Sequence, residues 1–186
     1  MPTPKTMDAI ALLKADHRKV EDLFEKAMKA RESNRKQELV KQICTELCIH
    51  TMIEEEIFYP ACTGEAENDT IDEAYVEHDG AKVIISELLN SDPDNEFYDA
   101  KVKVLSEEIK HHVKEEEKRG EGLFAQAKAA GLDMEGLGER MKARKEELMA
   151  EFEGGRLPPP QTRSFTGHKL QQGKPVDGGT DAVAAD

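Results

Sequence analysis

Tryptophan is absent from this 186-residue chain, and aromatic residues make up only 5% of it. That is little of the material from which sandwich and barrel cores are built, and it favours helices. No apolar run approaches the roughly 18 residues of a membrane span, and MPTPKTMDAI at the start lacks a basic stretch followed by an apolar one. A soluble, cytoplasmic protein is expected. Only three cysteines occur, Cys44, Cys48 and Cys62, without a CxxC, which argues against a disulfide framework or zinc ribbon. Basic charge is also scarce: 26 Lys and Arg against 39 Asp and Glu leave a net charge of -13. Such a field repels nucleic-acid phosphates and anionic membranes, so neither is an expected partner. No phosphate-cradling glycine loop and no GxSxG is present.

What is present is helical periodicity. Ile10, Leu13, Val20, Phe24 and Met28 form one stripe over about 7–30, with His17 on it. Leu39, Ile43, Leu47, Ile53 and Ile57 form a second over about 36–59, ended by Pro60 followed by Cys62-Thr63-Gly64, with His50 and Glu54 inside it. Thr70 and Glu73 read as a capping box opening a third helix to about Leu89, whose stripe includes Tyr75, His78 and Ile85. Asp92 and Pro93 read as the start of a fourth, to about Arg119, lining up Val102, Leu105, Ile109, His112 and Glu116. Four such helices with short connections predict an all-α, up-down-up-down antiparallel four-helix bundle.

The predicted bundle with its short following segment occupies 1–130. An accessory amphipathic helix with Leu137, Met141, Leu148 and Phe152 occupies 131–153, packed outside the bundle or at a subunit contact. From 154 to 186 the chain is rich in proline, glycine and polar residues and reads as a flexible tail, which includes His168.

The chemistry lies in the stripes. His50 and Glu54, and again His112 and Glu116, are four residues apart, which returns both side chains to one helix face about 6 Å apart along the axis. His17 and His78 each add an imidazole where a core leucine is expected. Four imidazoles and two carboxylates at one depth would cost several kcal/mol, roughly, if buried without a partner, and a metal ion satisfies them all. Imidazole and carboxylate donors without thiolate suit iron, manganese or zinc. The order His-x3-Glu differs from the Glu-x-x-His of ferritin-like bundles. Glutamate runs such as 54–56 and 115–117 otherwise read as solvated faces, and the cysteines as small buried apolar groups.

The segments KADHRKVEDLF around His17, HTMIEEEIFYP from His50, EHD around His78 and HHVKEEE through Glu116 resemble the hemerythrin HHE cation-binding family over about residues 8–130. The resemblance implies two non-haem irons, with His17 and His50 on one, His78 and His112 on the other, and Glu54 and Glu116 bridging; manganese and zinc rank below iron. Oxygen-carrying members have a histidine four before the one matched by His78, and Ala74 stands there. Tyr75 shares that face as a substitute ligand or a core tyrosine, Glu55 as a further ligand or a solvent group, and His111 points about 100° away from the site. The expected function is a metal protein that binds or senses O2 or another small diatomic ligand, or handles iron. The alternatives are a di-iron redox enzyme, reducing peroxide or nitric oxide or repairing iron-sulfur clusters, and an interaction module with a structural metal.

Overall fold

The structure is a computed structural model that describes residues 7–153 and 157–165; His168 and the rest of the expected tail lie outside the described residues. Asp8 opens α1 (Ala9–Lys29), its carboxylate accepting from Ala11 N at 2.7 Å and so satisfying one free amide of the first turn. α2 (Ser33–Ile53) runs through a π turn, Glu54–Phe58, into α3 (Tyr59–Cys62). Pro60 is thus carried inside the helix, which ends at Cys62 with Thr63 as its cap, where the expected Cys62-Thr63-Gly64 stop falls. A π turn breaks the regular hydrogen-bond ladder, and a proline, having no N–H to place, is tolerated in the first turn after it.

α4 (Asn68–Leu89) starts before the expected capping box: Glu67 is its cap, with no side-chain capping bond, and Glu67 N donates to Gln126 Oε1 at 2.8 Å. α5 (Tyr98–Glu116) starts at Tyr98 rather than Pro93, because Asp92 accepts from Asp94 N at 2.9 Å and closes a turn instead of a helix. α6 (Leu123–Ala129) and α7 (Met134–Glu151) follow, the latter capped by Asp133.

α1 packs on α2 and α5, and α4 packs on the same two, which gives the ring of neighbours of an up-down-up-down bundle. No named strand forms among the described residues, and no helix there is long and apolar enough to cross a membrane. α7 lies outside the bundle across α1, α2 and the π turn, with Leu137, Met141 and Leu148 buried. Gly138 permits that approach: a Cβ there would fall 2.4 Å from Met7 O. Met28 ends the first stripe half exposed, and Ala27 takes the core position instead.

The apolar core is in two parts. One joins Leu13, Ile53, Phe58, Tyr75, Leu123 and Met141; the other joins Val20, Phe24, Leu47, Ile85 and Leu105. Between them along α1 lie Asp16 and His17, and along α4 His78 and Asp79, all buried. Within the stretch expected to be tail, 157–165 returns to the bundle. Buried Asp79 accepts from Arg163 N at 2.8 Å, Ser164 N at 2.6 Å and Ser164 Oγ at 2.7 Å. The Arg163 guanidinium lies 4.2 Å from the centre of the Tyr75 ring. Lys82 Nζ donates to Gln161 O at 3.1 Å, and Leu157 packs against the core; composition does not reveal such attachments, since each depends on a single distant partner.

Candidate metal centre

The polar layer is built by one histidine from each of α1, α2, α4 and α5. His17 Nε2 lies 3.2 Å from His50 Nε2, and His78 Nε2 lies 3.2 Å from His112 Nε2. Two nitrogens each about 2.1 Å from one ion, at angles of roughly 90–110°, would be about 3.0–3.4 Å apart. Each glutamate stands between the two pairs. Glu54 Oε2 is 3.1 Å from His50 Nε2 and 3.3 Å from His78 Nε2. Glu116 Oε2 is 3.4 Å from His17 Nε2 and 3.6 Å from His112 Nε2. His17, His50, Glu54 and Glu116 offer donor atoms within 4.8 Å of one another, and so do Glu54, His78 and His112.

A second ring of carboxylates orients the imidazoles. Glu117 Oε1 lies 2.8 Å from His17 Nδ1, Glu55 Oε1 3.0 Å from His78 Nδ1, and Glu77 Oε2 2.7 Å from His112 Nδ1. Asp16 Oδ2 faces His50 Nδ1 at 3.7 Å. In the neutral imidazole a carboxylate at Nδ1 holds the proton there, so that Nε2 is the nitrogen whose lone pair a cation in the interior would take. The ring closes around the bundle: α1 supplies the acid for α2's histidine, the π turn for α4's, α4 for α5's, and the end of α5 for α1's.

Each outer acid has a basic neighbour of its own. Arg18 donates to Glu117 at 2.6 Å, Lys82 to Glu55 at 2.8 Å, and Lys145 on α7 to Asp16. His111 Nε2 lies 3.4 Å from Glu77 Oε1, so its expected outward direction places it in this outer layer. Glu55, weighed as a ligand, serves His78 and Lys82 instead.

Tyr75 does not reach the cluster; it meets the ring of Tyr59 edge-on at 5.4 Å. Tyr59 is the tyrosine inside. Its hydroxyl donates to Glu116 Oε1 at 2.9 Å and lies 3.2 Å from His78 Nε2. In an unbroken α-helix position 59 would be rotated about 140° from position 54, and the extra residue of the π turn brings it back. The sequence signal available for the outer acids was adjacency: Asp16, Glu55, Glu77 and Glu117 each sit beside a central residue in the chain.

Electrostatics follow from burial among charges. Burial alone would lower His50, but the Glu54 carboxylate outweighs it and pushes the imidazole up to about 10. His78 is likewise opposed by burial and pushed up to about 9 by hydrogen bonds to Glu54 and Glu55. Glu54, which burial would raise, is held well below the ordinary value by His50 and His78. Burial and the carboxylates of Glu116 and Glu54 hold the Tyr59 phenol well above its usual value, so it keeps its proton.

The donor set fits a cation. Glu54 Oε1 and Glu116 Oε2 are buried without a hydrogen-bond partner, which is costly unless something else binds them. Fold and site thus define a helical bundle with an internal histidine-carboxylate cation site. The chain belongs to the hemerythrin HHE cation binding domain family, whose model matches residues 8–120. A hemerythrin HHE cation binding domain-containing protein from Mycobacterium kansasii has a similar crystal structure: 26% identity, a TM-score of 0.65, and coverage of 77% of this chain and 88% of that one. No curated protein matches the chain. Family and buried cluster together make this a metal-binding domain.

Proposed function

We propose that the centre takes two non-haem irons, with His17 and His50 on one, His78 and His112 on the other and Glu54 and Glu116 spanning them, and binds O2 or another small diatomic ligand. The observation that carries the ligand reading is a cavity of about 20 Å³ bordered by all four histidines and by Val20, Leu47, Ala81, Ile109 and Val113. A site needs roughly 10–15 Å³ to admit one water-sized molecule, and these walls are largely apolar. Six protein donors for two ions leave coordination positions open, and bound iron would supply the Lewis acidity and redox electrons. The chain's own part is to orient four imidazoles, exclude bulk water and hold a proton on Tyr59. The unpaired thiols of Cys44, Cys48 and Cys62 fit the reducing cytoplasm.

A second reading, reduction of peroxide or nitric oxide, is favoured by Tyr59, a phenol buried inside the cluster whose O–H, now donated to Glu116 at 2.9 Å, is within reach of the centre as a hydrogen-bond donor to a bound oxygen species. The interaction-module reading loses the α7 surface, because the helix's Leu137, Met141 and Leu148 are buried in its own fold.

The test is anaerobic ferrous loading with metal stoichiometry, then optical spectra as air is admitted and removed. Two irons per chain and a reversible charge-transfer band are expected. Irreversible oxidation, with steady peroxide consumption lost in Tyr59→Phe at unchanged iron content, would favour the enzyme. Equal iron loading by His50→Ala and wild type would sink the site.

A further inference from the structure

Two clefts of opposite charge converge on the polar layer. A groove of about 410 Å³ between α1 and α5 reaches His17 and is rimmed by Arg18, Lys110, Lys114 and Lys118. A cleft of about 160 Å³ on another side, between α4, α5 and the Gly122 turn, reaches His112 and Glu116 and holds six glutamates against one lysine. Acidic clusters are usually solvated faces, but this one has a floor. Glu116 is 3% exposed, and its Oε2 atom has no hydrogen-bond partner. That oxygen lies 3.4 Å from His17 Nε2, inside the candidate centre.

We propose that this acidic cleft is the route by which a divalent cation enters the centre, captured first by Glu67, Glu73 and Glu121 at the mouth and passed to Glu116 at the floor. The proposal rests on the metal-centre reading above. Lys118 pairs with Glu121 at 2.8 Å, while Glu67, Glu73 and Glu115 have no ion-pair partner among the described residues. Glu77, also in the wall, is turned toward His112 Nδ1. Ala74 contributes only a methyl group to the wall. Gly122 sets the opposite wall: a Cβ there would lie 2.5 Å from the carbonyl oxygens of both Glu115 and Glu116. A cleft of one charge sign in a low-dielectric wall focuses the field and raises the capture rate of an opposite ion by 10- to 1000-fold, an effect that salt removes.

The experiment is stopped-flow uptake of cobalt(II) by the full metal-free chain, followed by visible absorbance at low and high ionic strength. Glu73→Gln/Glu121→Gln should load about 3- to 10-fold more slowly at low salt, to the same final stoichiometry, and the difference should shrink at high salt. Glu25→Gln/Glu38→Gln makes the same change in net charge on exposed residues that do not line the cleft, and should load like wild type. If the two double variants slow equally, or neither slows, the route is wrong while the centre stands. If wild type takes up no cobalt, both centre and route are overturned.

Discussion

Lys145 tests whether α7 is part of the metal site or only a cover. Its ammonium group donates to Asp16, and the two side chains are 16% and 9% exposed. Burial would raise the Asp16 carboxyl, yet His50 and Lys145 hold it below the ordinary value. Lys145→Met keeps most of the apolar stem and removes the charge, leaving a buried carboxylate beside His50. Breaking a fully buried pair from one side costs about 3–5 kcal/mol; with His50 still 3.7 Å from Asp16 and Lys145 partly exposed, about 2 kcal/mol is expected. For a chain of this length that lowers the melting temperature of the metal-free protein by about 4–8 °C. Metal affinity should fall about 10- to 100-fold, as when an outer partner of a ligating histidine is lost. Adding Asp16→Asn removes the stranded charge and should recover at least half of the stability, but not the affinity, because an amide oxygen is a weaker acceptor for His50 Nδ1–H. Thermal unfolding by circular dichroism and competition with a chelator measure the two quantities. A single variant as stable as wild type, or a double variant no more stable than the single, would refute the coupling.

Three further outcomes are expected. Because His50 and His78 are pushed up to about 10 and 9, both are protonated at pH 7.5 in the metal-free protein. Their stabilisation is complete below the ordinary histidine value of 6.5 and is lost as pH rises through about 9 and then 10. Metal loading at pH 7.5 should therefore release about two protons per chain in a weakly buffered titration, and a release that does not fall by pH 10.5 contradicts this. Tyr59→Phe removes the 2.9 Å bond to Glu116 and should cost about 1–2 kcal/mol in denaturant titration at unchanged metal content. Asp79→Ala deletes the anchor of residues 163 and 164 and should speed tryptic cleavage after Arg163 about 10-fold; an unchanged rate would show that the segment is held elsewhere.

The clustering of His50 with Glu54 and of His112 with Glu116 was legible because a regular helix repeats its face every three to four residues, while His17 and His78 stood out only as imidazoles within apolar stripes. Tyr59 was hidden by the same rule. Only the π turn returns it to the Glu54 face, and nothing in EEEIF marks that turn against an ordinary α-helix. The start of α5 was misplaced because Asp and Pro open turns as well as helices, and the choice was made by Asp94 N reaching Asp92. Residues 157–165 read as tail because composition is an average, while their attachment is made by particular distant partners: Asp79 for residues 163 and 164, Lys82 for Gln161 O, and the apolar core for Leu157.

The outer carboxylates carry a more general lesson about position. A residue next to a central one is rotated about 100° around its helix, which in a four-helix bundle turns it from the axis toward an adjacent helix. Asp16 beside His17 thus meets His50, and Glu77 beside His78 meets His112. An acid so placed ties one helix to the depth of the next. A slide of α4 by one turn, about 5.4 Å, would break the bond of Glu77 to His112 and that of His78 to Glu55 together. Apolar stripes of leucine and isoleucine tolerate such slides far better than hydrogen-bonded pairs do, because their contacts are not directional. Glutamates that composition assigns to a solvated face therefore set the register of the helices, and through it the distance between the two histidine pairs.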